Sequence, residues 1–211
     1  ESLHALPIPV VPDIISFKNA KENKELYTSA YRIPMGIQYS TVQYAMLDLQ
    51  TMGLIATLGR EKSGRTNFVK HMMAAIQANI FNSVTEAYVV DNPARTLQSV
   101  KDYGYVEKYT ADITELGSIV AYLEKALVER QERTAECDGY SIDEEPLLLL
   151  VIENDRLFEY LQTNKDVSTQ IVQLLKKYRK YKFAIILSEI DNANVPFNAP
   201  EFMKFIKENK R

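Results

Sequence analysis

Eight residues, Gly59–Thr66 (GREKSGRT), have the types and the spacing of a loop that holds phosphate. The pattern G-x-x-x-x-G-K-[ST] is met everywhere except at Arg65, which stands where lysine is expected. Each match has a chemical reason. Gly59 and Gly64 let backbone N–H groups curl around an anion, the N-terminus of the next helix favours negative charge, and Thr66 offers a hydroxyl to magnesium. Arg60, Glu61, Lys62 and Ser63 complete the loop, so all eight residues are candidates for binding nucleotide. The alternative is an ordinary glycine turn between a strand and a helix. Arg65 keeps a positive charge near the phosphates, but its planar fork does not reproduce the compact ammonium of lysine. Lys62 could lend charge, or be a solvated loop lysine.

A second group of chemistry-bearing residues follows the apolar run Leu147–Ile152: Glu153, Asn154 and Asp155. A phosphate-loop hydrolase needs an acid at the end of a buried strand to hold the magnesium shell, and a group that polarises the attacking water. Glu153 is long enough to reach a magnesium-bound water, which makes it, with Thr66, a candidate metal residue. If Asn154 occupies the catalytic position, its neutral amide can orient water but cannot accept its proton. Hydrolysis is therefore expected to be crippled. Asp155 is read as a helix N-cap or as a substitute acid. Ser188, ending the run Phe183–Ser188, could touch a γ-phosphate or water, whereas Glu189 beside it would repel phosphate. Both also fit as plain strand-end residues.

The elements that must position these residues are legible in the hydrophobic pattern. Leu54–Leu58 precedes the loop as a strand, and Phe68, Val69, Met72, Met73, Ile76 and Ile80 recur at helical spacing after it. Glu86–Val90 reads as a strand closed by Asp91, Asn92 and Pro93. A short helix near Ala94–Lys101 and a weak strand near Tyr105–Tyr109 follow. Asp112 and Glu115 are spaced as a capping box opening a long helix with Leu116, Val120, Leu123 and Leu127 inward. Leu147–Ile152 and Phe183–Ser188 lack alternation, which predicts strands covered on both faces, with Leu54–Leu58 as their central neighbour in a parallel sheet. A helix over Val167–Tyr178 lies between them. Before the loop, Ile33–Gly36 (IPMG) is read as a turn ahead of a strand over Val42–Leu49. The proline-rich Leu6–Pro12 is read as a linker.

Composition sets outer bounds. With 211 residues, 46% hydrophobic and 25% charged, the chain is expected to be one soluble domain plus an extension. A net charge of −3 argues against a surface dominated by nucleic acid. One cysteine, Cys137, cannot form an internal disulfide and suits a reducing setting. The longest apolar run is far too short to span a bilayer.

Strand, loop, strand, acidic strand end and polar second strand occur in an order that resembles the FtsK/SpoIIIE-type ATPases. More narrowly, PIPVVP, IPMG before a strand, GREKSGRT, LLLLVIEND and FAIILSEID resemble the last, degenerate ATPase module of the coupling proteins of type VII secretion. The likeness runs over nearly the whole chain, and departs from the active pattern at Arg65, Glu153, Asn154 and Glu189. It implies a three-layer, RecA-like α/β sandwich with a mostly parallel central sheet over residues 41–211, after a linker and N-terminal extension at 1–40. It implies ATP with Mg2+ as cofactor, bound weakly or not at all. The implied partners are an upstream tandem ATPase domain of the same polypeptide and small helical secretion substrates, in the cytoplasmic part of a membrane-anchored protein. Direct membrane insertion and nucleic acid are not expected. Two functions follow: a degenerate module for substrate recognition and regulation, or an active motor, driving protein more readily than DNA, in which Arg65 and Glu153 suffice. The helical pattern of Phe202, Phe205 and Ile206 is followed by charge and no closing strand, which raises the expectation of a C-terminal truncation.

Overall fold

The computed structural model describes residues 31–60, 62–78, 84–190 and 198–209; the proline-rich linker, Glu61 and Ile80 lie outside them. Five parallel strands, β3 (Leu54–Leu58), β4 (Thr85–Val90), β5 (Val106–Thr110), β6 (Leu147–Glu153) and β7 (Phe183–Ile190), form a sheet in the order β3-β7-β6-β4-β5. A separate antiparallel hairpin, β1 (Arg32–Gln38) and β2 (Gln43–Asp48), precedes it. Four-residue α1 (Leu49–Met52) leads from the hairpin into β3.

Helices cover both faces because the strands are apolar on both. On one face α2 (Arg65–Ala78) sets Val69, Met72, Met73 and Ile76 into one core with Val89, Leu149, Val151 and Ile186. The other core joins Leu148, Leu150, Ile152, Ile185 and Leu187 to α3 (Leu116–Glu136), α4 (Leu157–Thr163), α5 (Lys165–Lys177) and α6 (Glu201–Glu208). This is the expected three-layer α/β sandwich with a parallel sheet. Every residue of β6 is buried, as its unbroken apolar run requires.

Four local expectations are corrected. Leu54–Leu58 is adjacent to β7 but not central: among the described residues β3 pairs only with β7, and all five of its residues are half-buried. A groove of about 770 Å³, lined by Met52, Leu54, Ala56, Leu175, Phe205 and Ile206 among others, runs beside it. Apolar continuity marks contact with helices on both faces, and says nothing about whether a strand has neighbours on both edges. Ile33–Gly36 is the middle of β1, not a turn; its register slips between Pro34 and Gly36, and buried Ile33 packs with α2. Asp112 caps a short 3-10 turn, Ile113–Glu115, through Thr114 N, while Glu115 turns to Thr110 and Lys108 instead of closing a box. The expected short helix near residues 94–101 shrinks to a 3-10 turn at Gln98–Val100.

Candidate functional site

The site is the C-terminal end of the sheet, where β3, β6 and β7 deliver their last residues under the loop. Side chains alternate along a strand, and Ile55, Ile186, Val151 and Val89 all belong to the α2-face core. Two residues further along, the same face carries Thr57, Ser188, Glu153 and Asp91. Register pairs Glu153 with Ser188 and Ile152 with Val90, so these four polar residues form a row across four adjacent strands. The register of β3 on β7 slips between Ala56 and Leu58, a bulge at the end of the row nearest the loop.

The loop itself is tight. Lys62 and Gly64 both have positive φ, 62° and 91°, and Ser63 N donates to Arg60 O at 3.2 Å. Gly64 suits that backbone because it lacks a Cβ. At Gly59 a Cβ would lie 2.7 Å from Ser63 Oγ, so a larger residue there would turn the Ser63 hydroxyl away. Arg60, Lys62, Ser63 and Gly64 are exposed. α2 begins at Arg65, whose Nη1 donates to the carbonyl of Gly59 at 2.8 Å. The guanidinium is thus tied across the loop, from its last residues to its first.

One candidate pair is brought together. Thr66 Oγ1 donates to Glu153 Oε1 at 2.6 Å, joining residues 87 apart in sequence. A hydroxyl and a carboxylate are hard oxygen donors that fit Mg2+, which keeps several waters and takes phosphate oxygens instead of a full protein cage. No group of three or more acidic, histidine or cysteine side chains able to hold a metal occurs among the described residues. Thr66 and Glu153 would therefore hold Mg2+ only together with a nucleotide. That ion would neutralise the charge of the phosphates.

Asn154 is 1% exposed and is used by the backbone. Its Nδ2 donates to Asp91 O at 2.7 Å, and its Oδ1 accepts from Arg156 N at 2.9 Å. The Asn154 amide thereby stitches the end of β6 to the end of β4. Asp155 is exposed and no side chain caps α4; Asn154 supplies the turn bond that an N-cap reading gave to Asp155. Ser188 Oγ and Thr57 Oγ1 are buried and have no hydrogen-bond partner among the described residues.

Two residues escaped the sequence reading. Asp91, fully buried, accepts from Asn92 N and Leu97 N at 2.8 Å and from Tyr109 Oη at 2.6 Å. Burial, then that bond to Asp91, pushes the Tyr109 hydroxyl above its ordinary pKa, so it stays a donor. Thr96, in the loop wrapped around Asp91, reaches Glu153 Oε1 at 2.9 Å. The Asp-Asn-Pro strand stop pointed to Asp91 as punctuation, and nothing in spacing pointed to Thr96.

No protein-family model and no curated protein matches the chain. Solved structures do. The cytoplasmic domain of EssC superposes with a TM-score of 0.73 at 18% identity, over 94% of this chain and 39% of that one. The cytoplasmic domain of the Thermomonospora curvata type VII secretion ATPase EccC gives 0.67 at 19% identity, over 99% and 24%. The chain has the fold of type VII secretion ATPase domains. ATPases 2 and 3 of T. curvata EccC, solved in complex with a signal sequence peptide, share it with a TM-score of 0.66 at 19% identity, over 97% and 36%. The chain spans well under half the length of each of these EssC and EccC structures.

Proposed function

We propose that this chain is a degenerate P-loop ATPase module of a type VII protein secretion motor, acting in substrate recognition and regulation with weak or absent hydrolysis. The observation that carries this reading is the bond from Arg65 Nη1 to Gly59 O. The cation that would face the phosphates has one of its donors held by the loop's own carbonyl, which ties its planar fork to the loop. The backbone ties of Asn154 support the same reading, because its amide has no proton-accepting role to offer water. Gly59–Thr66 and Ser188 remain the nucleotide-facing residues, with Glu61 assigned by its place in the loop alone.

In this reading the module sits in the cytoplasmic part of a membrane-anchored protein, beside an upstream tandem ATPase domain. Small helical secretion substrates are its cargo, a role suggested by the EccC structure solved with a signal sequence peptide. No helix of the described residues is long and apolar enough to cross a membrane. The formed Thr66–Glu153 pair favours a second reading, an active ATP-hydrolysing motor domain, since a working site needs that contact.

Titration of ATP with magnesium into the chain and into Arg65→Lys tests the first reading. A freed lysine adds a charged hydrogen bond to phosphate, so Arg65→Lys should bind about tenfold more tightly. Equal affinity of the two proteins would remove Arg65 from the argument.

A further inference from the structure

Thr96 lies outside the phosphate loop and outside the strand ends, yet its hydroxyl meets the carboxylate on which the site depends. We propose that Thr96 is a positioning residue: its hydroxyl holds the Glu153 carboxylate toward Thr66, so that the pair is assembled before any ligand arrives. The proposal rests on reading Thr66 and Glu153 as the magnesium side of the loop.

The geometry decides where the single hydroxyl proton of Thr96 goes. Thr96 Oγ1 lies 2.9 Å from Glu153 Oε1 and 3.2 Å from Asp91 Oδ1, and it accepts from Asn92 Nδ2 at 2.8 Å. One proton cannot serve two carboxylates at once. Asp91 keeps three other donors, Asn92 N, Leu97 N and the Tyr109 hydroxyl, whichever way Thr96 turns. The shorter contact and the sufficiency of Asp91 both assign the proton to Glu153. Asn92 Nδ2 occupies a lone pair of Thr96 and so orients the hydroxyl for that bond.

The loop is built to hold Thr96 there. Asp91 binds the backbone N–H of both Asn92 and Leu97, closing residues 91–97 around its carboxylate, and the Leu97 side chain is buried in the α2-face core. Arg95 takes a positive φ of 56° between these anchors, and its N–H closes a turn on Asn92 O. Thr96 is thereby fixed on both sides. Glu153 Oε1 receives two hydroxyls, Thr66 at 2.6 Å and Thr96 at 2.9 Å. When Thr66 turns its oxygen to a metal-bound nucleotide, the bond from Thr96 still fixes the carboxylate. Groups behind the residues that meet the metal hold their orientation, and losing one commonly costs ten- to a hundredfold in metal affinity.

The test compares wild type with Thr96→Val, which keeps the shape without the hydroxyl, and Thr96→Ser, which keeps the hydroxyl. Ligand-free crystal structures should place the Glu153 carboxylate on the Thr66 hydroxyl in wild type and Thr96→Ser, and away from it in Thr96→Val. Titrations of ATP with magnesium and with EDTA should show that Thr96→Val loses about tenfold of the gain in affinity that magnesium brings. Affinity in EDTA should not change, and Thr96→Ser should behave as wild type. If Thr96→Val does not fold, Thr96→Ala makes the same comparison with less bulk. A carboxylate that stays on Thr66 without the Thr96 hydroxyl overturns the proposal, whatever nucleotide does. A wild-type protein whose ATP affinity gains nothing from magnesium overturns the reading of the loop, and the carboxylate position still decides the role of Thr96.

Discussion

The two ends of the sheet solve the burial of polar groups in opposite ways. At the N-terminal end of the strands, two buried cations each donate to two backbone carbonyls and to one further side chain. Arg130 Nη1 donates to Pro146 O and Tyr181 O, with Glu145 beside its Nε, and Lys182 Nζ donates to Asp143 O, Glu145 O and the Tyr31 hydroxyl. At the C-terminal end lie buried acids and hydroxyls, and two of those hydroxyls, Thr57 and Ser188, have no partner among the described residues. A buried charge that loses its partners is strongly destabilising, so these contacts are what hold the two cations inside. Unmet hydroxyls beneath a phosphate loop cost stability.

Substitutions should separate the paired polar groups from the unmet ones in sign as well as size. Arg130→Met leaves Pro146 O, Tyr181 O and Glu145 without their shared cation, and should lower unfolding free energy by about 3 kcal/mol in denaturant titrations. ATP affinity of the folded fraction should not change. Asn154→Ala strips partners from Asp91 O and Arg156 N, and should cost about 2 kcal/mol. A cost near zero would mean that Asn154 is not the stitch described above. Ser188→Ala goes the other way: removing a buried hydroxyl that has no described partner should stabilise by about 1 kcal/mol. Destabilisation there would reveal a partner and weaken the contrast between the ends.

The smallest effect belongs to an exposed pair. The bond from Lys108, then that from Thr110, holds the Glu115 carboxyl below its ordinary pKa. A depressed acid contributes stability above its unfolded pKa and loses it as pH falls through the folded value. Glu115→Gln should therefore cost less than about 0.5 kcal/mol at neutral pH, given solvent screening, and nothing in strong acid. Denaturant titrations at the two pH values check it.

Much of this architecture could be read from the chain because it depends on local pattern. The apolar runs of β6 and β7 announced strands covered on both faces, and the glycine spacing of Gly59 and Gly64 announced the loop. Thr66 and Glu153 could be placed at the same end of a parallel sheet as magnesium candidates, but the direct hydrogen bond between them is seen only in the structure. What could not be read depends on three-dimensional neighbours. The run Leu54–Leu58 looks like β6 in sequence, yet only one of its edges is paired among the described residues. The bond of Arg65 to Gly59 and the double engagement of Asn154 are choices of rotamer and partner that residue type leaves open. Thr96 meets Glu153 across 57 positions, through a loop whose shape is set by Asp91.

The most direct test of the central claim is ATP turnover by the unmodified chain with saturating magnesium. The account predicts steady-state hydrolysis that is undetectable or very slow. Arg65 is tied to the loop carbonyl and Asn154 offers no base, and loss of a general base and of a charge-stabilising group each commonly costs about a hundredfold or more. Turnover at about 1 per second or faster, typical of working enzymes, would contradict it and establish the active-motor reading instead.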